Sequence, residues 1–241
     1  MKWSNVILST TLATGLAGIF GSNAIMKKEY DRIDKSDKYW NFTKFTDKPF
    51  KHIKITGGNV SNIAYEQSPY SAVKVISAWR GSTDGTVSAV VTNDTLKIDF
   101  VNGYKDVYEK HWLSDAVTVR ITGPVVESVT GTDTKLVLNK FNHPSLKVDL
   151  HGNSRLIVNS YRNHYDRIDV NQGDSSVTTF TMSNETFTND IIRIKEVNAT
   201  GRGVSLLNLR SSSVEHLNLD MADSASVALS GYTLCKWNAK K

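Results

Sequence analysis

The chain has 241 residues, a mass of 26.8 kDa, 39% hydrophobic residues and a formal net charge of +5. That length holds one large or two small domains with a full core, and the ordinary apolar share excludes wholesale disorder and a polytopic membrane protein. Its one cysteine, Cys235, excludes an internal disulfide framework and a multi-cysteine zinc site, and is expected to be a small buried apolar residue.

The first element is a charge-free run between Lys2 and Lys27, of which Val6 to Met26 is long enough to span a bilayer as a helix. Residues 1–26 therefore read as a signal anchor or a signal peptide. Ser22-Asn23-Ala24 offers small residues for cleavage, which would leave a secreted protein beginning at Ile25. Apolar character resumes at Ile25-Met26 before Lys27-Lys28, as in an uncleaved helix ending at an interface. The positive-inside rule alone would hold the body in the cytoplasm. Long domains translocate largely regardless of charge, so an exported, periplasmic or surface location is expected. Residues 27–48 form a charged juxtamembrane linker carrying Tyr30, Tyr39 and Trp40.

From Phe50 onward the chain alternates short strand signals with turn signals. Val, Ile and Thr together number 60 while Glu numbers only 7, so strand formers outweigh helix formers. His52-Ile-Lys-Ile55 precedes Gly57-Gly58, and Leu96, Ile98 and Phe100 follow Asn93-Asp94. Small polar turns then recur at Gly131, Gly152, Gly173, Gly201 and Ala222, each opening an apolar strand. The anchors Leu136, Leu156, Val177, Val204 and Val227 lie 20, 21, 27 and 23 residues apart. A second ladder, Leu146/Val148/Leu150, Ile168/Val170, Ile192/Ile194 and Leu217/Leu219, precedes most of those turns. Two short strands per unit at such a period predict an all-β domain over residues 49–237, a right-handed parallel β-helix or β-solenoid with an N-terminal sheet-like section over one end, followed by a tail at 238–241.

The segment from Pro49 to about Trp237 resembles the GIN-domain family, the auto-transporter adhesin head domains. Phe50-Lys-His-Ile-Lys-Ile-Thr-Gly-Gly58, Val117-Thr-Val-Arg-Ile-Thr-Gly-Pro124 and the Gly-Asp/Asn-Ser turns carry the likeness. The leader followed by Lys27-Lys-Glu-Tyr-Asp-Arg-Ile-Asp-Lys-Ser-Asp37 is similar to members from Bacteroidetes. The resemblance implies a β-helical cell-envelope domain.

Candidate sites are few. The turn acids Asp133, Asp174 and Asp223, with Asn153, recur at equivalent offsets, as a calcium ladder would require, but lone carboxylates at turns are more simply residues that tolerate left-handed geometry. Asp149, Asp169, Asp220, Arg155, Arg167 and Arg193 are the groups a carbohydrate-active enzyme would need, and equally the polar outward positions of strands. Six scattered histidines include no His-x-x-x-His pair. The loop Asn102–Trp112 presents Tyr104, Tyr108 and Trp112, either to stack on a sugar or peptide or to cover an open end of the core. With no nucleophile elbow, phosphate loop or dinucleotide fingerprint, the reading is a non-enzymatic envelope interaction module. It is expected to hold no cofactor or metal and to bind no nucleic acid. Membrane contact runs through the N-terminal segment, and the partner is an envelope glycan or protein. A carbohydrate-active enzyme and a structural spacer are the alternatives.

Overall fold

The computed structural model describes residues 3–36, 39–59, 61–77, 87–100, 117–162, 164–182, 191–222 and 224–238. Two compact units emerge, Met1–Phe42 and Thr43–Lys241.

The first unit is built on helix α1, Trp3–Arg32. It is long and apolar enough to cross a membrane, as a signal sequence also is. The three threonines that dilute its hydrophobicity fold their hydroxyls back onto the helix. Thr10 donates to the Val6 carbonyl (2.9 Å), Thr11 to Ile7 (3.0 Å) and Thr14 to Thr10 (2.9 Å). A hydroxyl already bonded within its own helix costs less to bring into hydrocarbon.

The second unit is mainly β. Its nine-stranded sheet runs, in spatial order, β1 (Phe42–Thr46), β4 (Ala72–Ile76), β7 (Val117–Gly123), β3 (Asn62–Gln67), β9 (Lys135–Phe141), β11 (Arg155–Ser160), β13 (Val177–Met182), β15 (Leu206–Leu209) and β17 (Ser226–Leu229). The eight-stranded sheet runs β16 (Ser212–Met221), β14 (Ile192–Gly201), β12 (His164–Gln172), β10 (Ser145–His151), β8 (Ser128–Thr132), β2 (His52–Thr56), β6 (Thr95–Phe100) and β5 (Val87–Thr92). Inward residues of both sheets merge into one apolar core. Tyr165 of β12 shows the interlock, its ring lying 6.2 Å from Phe141 of β9 and 6.4 Å from Phe180 of β13. Its hydroxyl hydrogen-bonds the Ser160 hydroxyl at 2.7 Å, and burial pushes that phenol up to about 12.

This arrangement corrects the expected right-handed parallel β-helix or β-solenoid. Both sheets are mixed, with β4 antiparallel to β7 and β5 antiparallel to β6. Nor does spatial order follow chain order, since β2 lies between β6 and β8 and β3 between β7 and β9. A repeating winding would lay each unit on the one before it. The architecture is instead a sandwich-like pair of sheets. The departure is seated in the N-terminal half, where Asn93 and Asp94 both take positive φ (48° and 56°), the geometry of a two-residue hairpin, and turn β5 back on β6.

From β8 onward the strands alternate between the sheets, and the recurring turns are where they change over. Thr134, Ser154, Ser176 and Ser205 each stand just before a strand of the nine-stranded sheet, all essentially buried. Backbone bonds run through this row, from Arg155 N to Thr134 O (2.7 Å), Val177 N to Ser154 O (2.8 Å) and Leu206 N to Ser176 O (3.0 Å). Two sequence anchors are displaced. Leu156 pairs with Thr178, not Val177, and Leu207 takes the place expected for Val204. One residue of slip moves Val177 to the outer face, and Val204 sits on an exposed turn. In the other sheet Ile168 and Val170 pair with Val197 and Ala199, whereas Ile192 and Ile194 align with Ser212 and Val214.

A short helix, α2 (Gly231–Asn238), follows β17 where the sequence shows no helical face. The Thr233 hydroxyl donates to Ser212 O (3.1 Å) and accepts from Val214 N (3.2 Å), and the Ser230 hydroxyl donates to Ser212 O (2.7 Å). These bonds satisfy backbone groups on the edge strand β16. Cys235 lies exposed on this helix, contrary to the buried position expected.

Turn packing is tight. Gly203 has φ +62°, and a Cβ there would come within 2.9 Å of the Asp174 backbone. Gly203→Ala is therefore expected to destabilise the body by about 1–3 kcal/mol, read as a Tm several degrees lower in thermal unfolding. Gly18→Ala in α1, where a Cβ meets nothing within 4 Å, should leave that transition unmoved.

Candidate interaction surface

The outer face of the eight-stranded sheet is a plane of polar side chains, because strand alternation sends Leu146, Val148 and Leu150 inward and Lys147 and Asp149 outward. Parallel register stacks these outward residues into rows. One row runs His52, Ser128, Lys147, Asp169, Asn198 and Asn218, and the next runs Lys54, Thr130, Asp149, Asn171, Thr200 and Asp220. Neighbours in a row lie one strand spacing apart, about 4.8 Å.

Hydrogen bonds knit the rows. Asn171 donates to Asp149 (2.7 Å), Asn198 to Asp169 (2.9 Å), and Asn218 to the side-chain Oδ1 of Asn198 (2.8 Å). Arg167 Nε reaches both Asp169 oxygens at 2.9 Å, and its Nη1 lies 3.8 Å from Glu196. Burial pulls the Asp169 carboxyl upward, but hydrogen bonds from Arg167 and Asn198, with the charges of Arg167 and Lys147, outweigh it and hold the group below the usual carboxylate range. Arg202, bonded to Asp220 at 2.7 Å, lowers that carboxyl in the same way.

Of the six groups singled out in the sequence, the fold brings Asp169 and Arg167 into contact, while Asp149 stands in the neighbouring row, bonded to Asn171. Asp220 stands at the far end of the second row, paired with Arg202. Arg193 aligns with His164 and Ser213, and Arg155 belongs to the other sheet. The sequence reading missed Glu196 and the asparagines. Their signal was present for Asn198 and Asn218, which stand between inward apolar or small residues at the same phase of neighbouring strands, while Asn171 lies between Val170 and the buried Gln172.

A general acid at neutral pH needs a raised carboxyl pKa, and Asp169 and Asp220 are shifted the opposite way. Arg167 is 54% exposed and Asp169 34%, so water reaches the cluster freely. Such a surface suits multiple hydrogen bonds to a long polar partner better than sequestered chemistry.

The turn acids have structural work. Asp133 and Asp174 take positive φ (51° and 55°), and each accepts from a neighbouring turn, Asp133 from Asn153 N (2.8 Å) and Asp174 from Gly152 N (2.9 Å). Asp223 lies outside the described residues. Among the described residues no group of three His, Cys, Asp or Glu is placed to hold a metal ion. A pocket of about 190 Å³ opens beside Pro49, Phe50, Lys51, Asp94, Pro124 and Val125, smaller than an ordinary ligand site. Tyr104, Tyr108 and Trp112 lie outside the described residues.

Because Asp169 is lowered on folding, its pairing contributes stability above the ordinary carboxylate value of 3.8 and loses it as pH falls through the lower folded value. Asp169→Asn is expected to cost at most about 1 kcal/mol at neutral pH, as befits a partly exposed pair. It should also flatten the loss of stability below about pH 4, measured by urea unfolding across pH.

No family model and no curated protein matches this chain. Several solved structures do. A protein from Bacteroides fragilis NCTC 9343 named a "putative adhesin" is 15% identical, with 78% of this chain and 95% of that one covered and a TM-score of 0.41. From Parabacteroides distasonis ATCC 8503, a "putative lipid binding protein" is 12% identical over 79% of this chain and 93% of its own, with a TM-score of 0.41. A "putative adhesin" of the same organism is 13% identical over 78% and 80%, with a TM-score of 0.43. Likeness of this depth assigns no ligand and no residue role, so the function of this chain rests on its own residues.

Proposed function

We propose that this chain is a non-enzymatic interaction module of the cell envelope, an adhesin-like head of the GIN-domain type, anchored by α1 and exported. The observation that carries the reading is the knitted polar plane on the eight-stranded sheet, where two rows of polar side chains, rich in amides and carboxylates, run at strand spacing over six strands. A polymer rich in hydroxyl or amide groups meets such a plane with many parallel hydrogen bonds, each weak and together adhesive. The aromatic loop at residues 102–112 adds stacking contacts through Tyr104, Tyr108 and Trp112 in this proposal. The rung carboxylates serve as acceptors in the plane and not as proton donors, which weighs against a carbohydrate-active enzyme.

A screen of envelope glycans and proteins against the full chain in detergent tests the proposal. Asn198→Ala with Asn171→Ala is expected to weaken the captured ligand about tenfold or more, and Tyr104→Ala, Tyr108→Ala and Trp112→Ala together to weaken it further. Equal binding by all folded variants, or turnover of a polysaccharide that disappears in Asp169→Asn, would overturn it. For the anchor, the full chain should remain in the membrane pellet after alkaline carbonate extraction. A mature chain beginning at Ile25 would establish a cleaved signal instead.

A further inference from the structure

The two sheets divide the charge of the body unequally. Over the strands of the eight-stranded sheet basic and acidic residues nearly balance, six cations to seven acids. In the strands of the nine-stranded sheet the cations are Lys44, Lys74, Arg120, Lys135, Lys140 and Arg155, against the acid Glu66, with Lys44 paired to Asp47 just beyond β1 at 2.7 Å. Counted on the strands alone, the nine-stranded sheet is the more basic of the two.

That same side has an apolar centre. Strand alternation turns Val137, Ile157, Val177 and Leu206 outward, and each remains partly exposed. Val137 pairs directly with Ile157, and Val177 with Leu206, while Lys135 and Arg155 align one step along the same strands. Aliphatic residues bordered by cations form a surface that is amphipathic in the plane of the sheet. Two copies joined through this face would set cation against cation, and a purely polar polyanion would leave the aliphatic centre unmatched.

We propose that the outer face of the nine-stranded sheet docks on a bilayer surface containing anionic phospholipid. Lys135 and Arg155 meet headgroup phosphates, and Val137, Ile157, Val177 and Leu206 face the upper acyl region. The chain already carries a helix long enough to cross a membrane, and only residues 33–41 separate it from β1. Tethering raises the effective concentration of lipid around the body, so a weak contact suffices. Docking is independent of which ligand the opposite sheet binds, and it leaves that polar plane facing away from the lipid.

The test uses the full chain reconstituted in vesicles, in a Cys235→Ser background. A fluorophore is attached at Thr179→Cys, in the row between Ile157 and Asn208, or at Thr130→Cys on the opposite sheet. Lipids with a nitroxide headgroup serve as quencher. In phosphatidylcholine mixed with phosphatidylglycerol, quenching at 179 should exceed that at 130 several-fold, and it should fall in phosphatidylcholine alone or at high salt. Each basic residue near an anionic surface contributes about a factor of five. Lys135→Glu with Arg155→Glu should therefore reduce docking at least about twentyfold while circular dichroism shows an unchanged fold. Equal quenching at the two positions, indifference to lipid charge, or protection of position 179 that grows with protein density as in pairing of copies, would each overturn the proposal.

Discussion

Every other feature of the body depends on parallel register carried through the turns. Arg155, Val177 and Leu206 each donate a backbone N–H to the buried Thr or Ser before the neighbouring strand, so the turns are locked at the same spacing as the strands they join. Register fixed there is register fixed everywhere downstream, and it sets which side chain faces the core and which faces water. The small buried hydroxyl at this position is what the close approach permits. The Ser154 hydroxyl closes its own turn onto His151 O at 2.6 Å and receives Thr134 N at 3.2 Å.

Locked register also explains why two very different outer surfaces grow from similar strands. Register decides which chemistries become neighbours, so Asp149 and Asn171 stand beside Thr200 on one sheet, while on the other Val137 stands beside Ile157 before the row turns polar at Thr179. Such alignment makes a surface cooperative in the geometric sense. A partner that fits one step of the row fits the next, and affinity accumulates with length rather than with depth of pocket.

The parts of this fold that could be read from the chain are those written in local chemistry. Period-two alternation at Leu146, Val148 and Leu150 marks a strand with one buried face, and the Gly-Asp-Ser turns mark the changeovers, because both depend on residues a few positions apart. Strand order is different in kind. That β3 inserts between β7 and β9 depends on contacts across more than fifty residues, and Ile63 looks the same in sequence whether its neighbour is Leu136 or any other aliphatic residue. Anchor spacing misplaced Val177 and Val204 for a related reason. Turns of unequal length, such as the one ending at Ser205, shift the phase without changing composition. The polar plane was half visible, since its acids stand out as charges while its asparagines resemble ordinary turn formers until register aligns them.

The hydroxyl seal that Ser230 and Thr233 place on Ser212 and Val214 has a consequence for how this body meets other chains. The seal contacts only the first residues of the edge strand β16 and makes no demand on the strands inside it. A backbone donor or acceptor already engaged by a side-chain hydroxyl is no longer open for another chain to pair with. Two hydroxyls thus guard one end of the sheet against unwanted strand addition while leaving the register and outer chemistry of the inner strands untouched.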